Sequence, residues 1–187
     1  MNLLSDDDIV VAGAVLGVEP ATLRAVRAVE SRGRGFNPDG SVVTLFEGHV
    51  FHKYTSGKFS ESHPDLSYPV WTRQFYGKTW QAEQQRLKRA MVLDERAALL
   101  ATSWGMFQIM GFNFAACNFA SVMAFVEAMR ESEKQQLIAF CQFVQSIGAL
   151  DRLRAKDWAA FARRYNGPQY AKNAYDQKLA RAYSHYA

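Results

Sequence analysis

The stretch Ala25-Val26-Arg27-Ala28-Val29-Glu30-Ser31-Arg32-Gly33-Arg34-Gly35-Phe36 constrains this chain more than any other. It reads as the closing turns of an apolar helix that ends in a carboxylate and breaks at two glycines. Leu23, Val26 and Glu30 fall at i, i+3 and i+7, so Glu30 lies on the face that otherwise enters the core. Burial disfavours the charged form of an acid, so a carboxyl group there is costly to ionise. Two readings stand. In one, Glu30 stays protonated near neutral pH, which suits a general acid. In the other, it is a helix-end glutamate that bends to solvent or pairs with Arg27 or Arg34.

At 187 residues the chain suits one domain with a substantial core, spanning residues 1–187. Hydrophobic residues at 49% and charged residues at 21% describe a globular protein rather than a disordered one. The 13 Phe, 8 Tyr and 4 Trp exceed what one core readily hides, so some should line a groove. A formal charge of +4 favours encounters with anionic polymers: nucleic acid, acidic lipid or the bacterial envelope. The basic residues are scattered and form no nucleic-acid motif, which argues against a nucleic-acid partner.

Cys117 and Cys141 sit in Phe- and Ala-rich stretches with no metal-binding spacing. They read as packed free thiols, a disulfide between them being the alternative. The opening Met1-Asn2-Leu3-Leu4-Ser5-Asp6-Asp7-Asp8 lacks the basic and apolar segments of a secretory signal. No apolar run of about 18 residues is present. The expectation is synthesis in a cytoplasm, without a signal peptide and without stable membrane insertion.

Ser5 and the aspartates behind it start a helix whose inner face is Ile9, Ala12, Gly13 and Leu16. Gly17 ends it, and Pro20 opens the helix that runs to Glu30. Asn37-Pro38-Asp39-Gly40 is a strong turn signal with an extended run from Ser41 to Phe46 behind it, the one convincing hairpin. Val43, Leu45 and Glu47 share a face by period two, which brings a second carboxylate to that strand's end. A short helix follows through Phe51 and Tyr54, then a long ordered loop over residues 57–78. From Trp80 the chain reads as helical, interrupted at Ser103-Trp104-Gly105-Met106-Phe107-Gln108-Ile109-Met110-Gly111. Ser121, Ser132 (with Gln135, a capping box) and Asp157 start later helices, and a last one carries Tyr175, Leu179 and Ala182. The fold class is mainly α (α+β), a helical domain with one small β-hairpin.

Three separated segments line up in order: Val29-Glu30-Ser31, Ser103-Trp104-Gly105-Met106-Phe107-Gln108-Ile109 and Tyr165-Asn166-Gly167-Pro168. The trio resembles the signatures shared by goose-type lysozymes and soluble lytic transglycosylases. A broader set spans nearly the whole chain. Val29-Glu30-Ser31-x-Gly-x-Gly-Phe36, Asp39-Gly40, Leu45-Phe46-Glu47-x-His49-x-Phe51 and His63-Pro64-Asp65-Leu66-Ser67 are similar to the N-acetylmuramidase domain of phage endolysins.

The resemblance implies a lysozyme-like fold and hydrolysis of the β-1,4 bond between N-acetylmuramic acid and N-acetylglucosamine. Such cleavage needs an acid for the leaving oxygen and usually a second carboxylate. Glu30 is the candidate acid. Glu47 is the candidate second carboxylate; its alternative is a structural acid paired with His49, His52 or an arginine. An inverting reaction wants the two carboxyl groups roughly 6.5–9.5 Å apart, a retaining one about 5–5.5 Å. Gln108 would offer its amide to the sugar N-acetyl groups or tether two loops, and Ser103 and Ser31 are further substrate-binding candidates. Tyr165 and Asn166 would sit by Glu30, with the tyrosine hydroxyl able to orient it. Tyr68, Trp71, Phe75 and Tyr76 would be sugar-stacking walls or core.

His49, His52 and His63 with Glu47 suggest zinc, but the spacing is not that of a zinc hydrolase, and neither metal nor cofactor is expected. The expected partner is the glycan strand of bacterial peptidoglycan, attacked at the cell wall by a monomer. Alternatives are a lytic transglycosylase forming 1,6-anhydro ends, a non-catalytic wall-binding module and a secreted interbacterial toxin.

Overall fold

The computed structural model describes residues 3–31, 33–168 and 170–187, the side chain of Ser31 excepted. The chain opens with α1 (Asp6–Leu16) and α2 (Pro20–Ser31), then β1 (Thr44–Phe46) and α3 (Gly48–Tyr54). After the long loop come α4 (Trp80–Leu93), α5 (Glu95–Leu100), β2 (Thr102–Trp104) and β3 (Ile109–Met110). A 3-10 helix (Gly111–Cys117) leads to α6 (Val122–Glu131), α7 (Glu133–Ser146) and α8 (Leu150–Arg154). The chain closes with α9 (Trp158–Tyr165), a 3-10 turn (Tyr170–Asn173) and α10 (Tyr175–Tyr186). The mainly helical class with a small sheet is what the sequence implies.

Local chemistry starts and stops these helices as read. Ser5 and Asp8 exchange side-chain-to-backbone bonds across the first turn of α1, which satisfies donors the helix leaves open. Gly17 ends α1 in the left-handed conformation at φ 66. Ser132 caps α7 by accepting from the Gln135 amide, but the reciprocal half of the expected box is missing. Gln135 instead donates to Glu131, one helical turn back.

The sheet departs from the expected hairpin. The Asn37–Gly40 turn forms, with the Asn37 amide donating to the Ser41 carbonyl at 2.7 Å, yet only a single bridge, Phe36 to Val42, closes it. The run expected from Ser41 shortens to Thr44–Phe46 and pairs antiparallel with the distant β2, setting Leu45 opposite Ser103. β2 in turn pairs with β3. The segment read as a mere interruption therefore builds two strands. The 3-10 helix and α8 were also not expected, being too short to show a period.

Phe46, Phe51, Trp104, Phe107, Phe125, Phe140 and Phe161 fill the core, and Phe107 stacks on Phe140 with centroids 4.4 Å apart. Both cysteines are free and buried, and burial pushes the Cys117 thiol up to about 12 and that of Cys141 up to about 11. They are packing residues.

Polar ties at the start of α7 hold three loops together. Glu133 accepts the backbone N–H of Leu4 and of Gly35, each at 2.8 Å. Gln136 accepts the Met106 amide at 2.7 Å and donates to the Met129 carbonyl at 2.8 Å. A Cβ on Gly35 would stand 2.2 Å from the Gln136 side-chain oxygen, and one on Gly105 2.6 Å from its amide carbon. Those glycines admit the amide between the loop after α2 and the β2–β3 turn. Gln136→Met keeps the volume and strands the buried Met106 N–H without an acceptor. It should destabilise the protein by about 1–3 kcal/mol in urea unfolding, with the slope unchanged; a midpoint equal to the parent's would show that the tie is dispensable.

Candidate active site

Glu30 sits in the last turn of α2, partly buried where α10 packs over that helix. Asn166, at the C-terminal cap of α9, donates its side-chain N–H to Glu30 Oε1 at 2.9 Å. Burial pushes the Glu30 carboxyl from an ordinary 4.5 up to about 7; the Asn166 bond and the positive charge of Lys178 pull the other way. Desolvation wins. The solvent-facing reading of Glu30 and its pairing with Arg27 are both set aside, since Arg27 spends its guanidinium on the Gly33 carbonyl.

Tyr165 corrects one expectation. Its hydroxyl donates to the Phe107 carbonyl at 2.7 Å and so does not orient Glu30. The ring stacks on Phe161 with centroids 5.3 Å apart, and burial together with the Glu30 charge raises its pKa well above the usual range. Tyr165 ties α9 to the β2–β3 turn, and that places Asn166 next in line. The turn that follows is left-handed at Gly167, φ 89.

Glu47 follows β1 and precedes α3, with its backbone N–H donating to the Ala101 carbonyl at 2.9 Å. Its side chain is 15% exposed, and the Tyr76 hydroxyl lies 2.8 Å from each of its oxygens. His49 Nδ1 stands 3.3 Å from Oε2 without making a hydrogen bond. The expected His49 neighbour is therefore present, but the principal partner is Tyr76. That hydroxyl is held protonated, because burial and the Glu47 charge both raise its pKa.

A buried ion pair roots the loop that delivers Tyr76. Arg86 holds Glu83 at 2.8 Å, reaches the Phe46 and Asp65 carbonyls, and lies beneath the Tyr76 ring with Cζ 5.7 Å from its centroid. Glu83 also accepts the Gly77 amide. Of the aromatics offered as sugar walls, Tyr68 is core at 7% exposure, Phe75 packs on it and Tyr76 serves Glu47. Trp71 alone stands open, 52% exposed.

Ser103 donates to Gln108 Oε1 at 2.8 Å, and Gln108 Nε2 donates to the Gly105 carbonyl at 2.9 Å. Gln108 itself adopts φ 49, a left-handed conformation that its own side chain stabilises by closing the turn. Both residues thus hold the β2–β3 turn, the tethering reading of Gln108. Ser31 ends α2, and its side chain lies outside the described residues.

The histidines of the zinc alternative diverge: His52 Nδ1 lies 2.8 Å from Ser60 Oγ, and His63 Nδ1 lies 3.0 Å from Ser62 Oγ. Among the described residues no cluster of three or more His, Cys, Asp or Glu could hold a metal.

Two groups near Glu30 were missed: Tyr175, whose pKa is raised by burial and by the Glu30 charge, and Lys178, whose ammonium lies 5.5 Å from the Tyr175 ring centroid. Arg73, in the long loop, lowers that same Tyr175 pKa. The charge of a loop residue is therefore felt on α10. Nothing local in the sequence announces such a pairing; Tyr175 and Lys178 at i, i+3 show only that they share a helix face.

A helical domain with a small sheet and a helix-end glutamate pushed toward neutral pKa is the architecture of the lysozyme-like glycoside hydrolases. The family model for N-acetylmuramidase matches residues 19–187. Among solved structures the chain is similar to the crystal structure of Burkholderia AP3 phage endolysin, with a TM-score of 0.87 and 42% identity, over 99% of this chain and 72% of that one. No curated protein matches. The chain belongs to the N-acetylmuramidase family and is a glycoside hydrolase acting on peptidoglycan.

The Glu30 carboxyl should titrate near pH 7 by carbon-13 NMR, and Asn166→Ala should move that midpoint higher, because a bond favouring the charged form is lost. Its folded pKa lies above the unfolded one, so this acid's contribution to stability is complete below about pH 4.5 and lost as pH rises toward 7. Glu30→Gln should therefore match the parent at pH 4 and exceed it at pH 8, by on the order of 1–3 kcal/mol. Equal unfolding free energies of the two proteins at pH 8 would contradict the assigned burial.

Proposed function

We propose that the chain is a phage-type endolysin that hydrolyses the β-1,4 bond between N-acetylmuramic acid and N-acetylglucosamine, Glu30 acting as general acid. The observation that carries this reading is the Glu30 carboxyl at about 7, partly buried and fixed by Asn166. An acid with that pKa keeps its proton near neutral pH yet can release it to a leaving oxygen. Glu47 acts as the base. It takes a proton from water as the water's oxygen bonds to the anomeric carbon, while the glycosidic bond breaks and its oxygen takes the Glu30 proton. Tyr76 fixes the carboxylate that performs this step. Asn166 orients the acid; Tyr165, Ser103 and Gln108 hold the turn beside it and shape the sugar site.

A lytic transglycosylase needs one acid only, since the sugar's own hydroxyl attacks. A second carboxylate, shielded and gripped by a buried-network tyrosine, favours hydrolysis. It also disfavours a module that only binds the wall. The monomer is the proposed acting form. The place of action is the bacterial wall, and no single helix among the described residues is long and apolar enough to cross a membrane.

Glu30→Gln should cut the clearing of wall suspensions by at least about 100-fold while circular dichroism stays unchanged. The parent's kcat/KM should fall on the alkaline side as Glu30 deprotonates near pH 7. Mass spectrometry of released muropeptides should show reducing muramic acid ends. Full clearing by Glu30→Gln would refute the assignment, and 1,6-anhydro ends would transfer it to the transglycosylase.

A further inference from the structure

Trp71 is a large aromatic left 52% exposed on a loop otherwise held down at several points. The Arg73 guanidinium lies over it, with Cζ 5.5 Å from the indole centroid. Arg73 is exposed and, like several other arginines, forms no ion pair among the described residues; what sets it apart is the open indole it lies over. This pair is not floppy. The Arg73 carbonyl accepts the Tyr76 amide at 3.1 Å, and Thr72 Oγ accepts the Gln74 amide at 3.1 Å, closing a tight turn. Tyr76, the last residue of that turn, is bonded to Glu47.

The position is as informative as the chemistry. The Arg73 carbonyl holds the amide of Tyr76, whose hydroxyl bonds Glu47, so the pair stands one turn from that carboxylate's partner. An arginine stacked on an indole keeps its edge N–H groups free, and that edge matches a carboxylate in bidentate fashion. The sugar backbone of peptidoglycan is neutral, but the peptides hanging from its muramic acid residues carry free carboxylates. A neutral glycan offers no ion-pair partner to an unpaired guanidinium one turn from the Tyr76–Glu47 bond; an acid-bearing peptide stem does.

We propose that Trp71 and Arg73 form a subsite for the acidic peptide stem beside the scissile bond, so that the enzyme prefers peptide-bearing strands to bare glycan. The inference rests on the proposed function and names the form of its substrate. Trp71 supplies the flat apolar face, and Arg73 grips a stem carboxylate. Lysine in its place would keep the charge without the stacked fork.

The test compares intact sacculi with the same glycan strands stripped of peptide by an amidase, the lactyl carboxylates that this frees being converted to amides with carbodiimide and ammonia. For Arg73→Met, the loss in kcat/KM on intact sacculi should exceed the loss on stripped strands by about tenfold, carried mainly by KM. Arg73→Lys should fall between parent and Arg73→Met. Equal losses on both polymers, or none on either, would overturn the subsite. Sedimentation of Glu30→Gln with each polymer, with and without Arg73→Met, reads binding without turnover. If Glu30→Gln still clears walls, the catalytic assignment fails. If Glu30→Gln is inactive yet binds intact sacculi equally with either residue at position 73, the subsite alone fails.

Discussion

The start of α7 is where this protein is tied together. Glu133 and Gln136, 2% and 1% exposed, are polar side chains in a place that tolerates them only when their hydrogen bonds are made. They take the backbone N–H groups of Leu4, Gly35 and Met106. Those amides belong to loops with no strand or helix to satisfy them. The ties set the height of the loop after α2 relative to the β2–β3 turn, together with Val43, which donates to the Gly35 carbonyl and accepts the Gly105 amide. Glu30 precedes the first of these loops, and the second carries the carbonyl that receives Tyr165.

From that frame the two carboxylates acquire unlike surroundings. Glu30 meets desolvation with a single amide donor, and its proton becomes hard to remove. Glu47 meets a hydroxyl centred on both its oxygens, delivered by a loop whose root is the buried Glu83–Arg86 pair. A buried ion pair contributes little net stability, because desolvation offsets its attraction. Its value here is positional, since it fixes where the loop can lie and hence where Tyr76 can reach. Unlike environments for two acids are what divides proton donor from proton acceptor in glycoside cleavage.

Much of this was legible along the chain. Capping serines and aspartates, glycine stops and helical periods locate α1, α2, α4, α6, α7, α9 and α10, because those signals act within a turn or two. The i, i+3, i+7 spacing of Leu23, Val26 and Glu30 already sets the acid on a core-facing stripe. Period two brings Glu47 to a strand end for the same local reason. What failed was anything with a remote partner. β1 looked like half of a local hairpin, but its true neighbour lies past three helices. Tyr165 looked like the residue that orients the acid, and its hydroxyl instead found the Phe107 carbonyl.

The amino-acid sequence alone determined on which faces of their elements the candidate side chains lie, because face and spacing follow from backbone periodicity. Tertiary structure alone decided how each one behaves. A carboxyl's readiness to lose its proton depends on the neighbours that displace water from it, and those come from α9, α10 and a loop far away in the chain. Hydrogen-bond partners across such separations are chosen by the packing of whole elements. No local pattern encodes them.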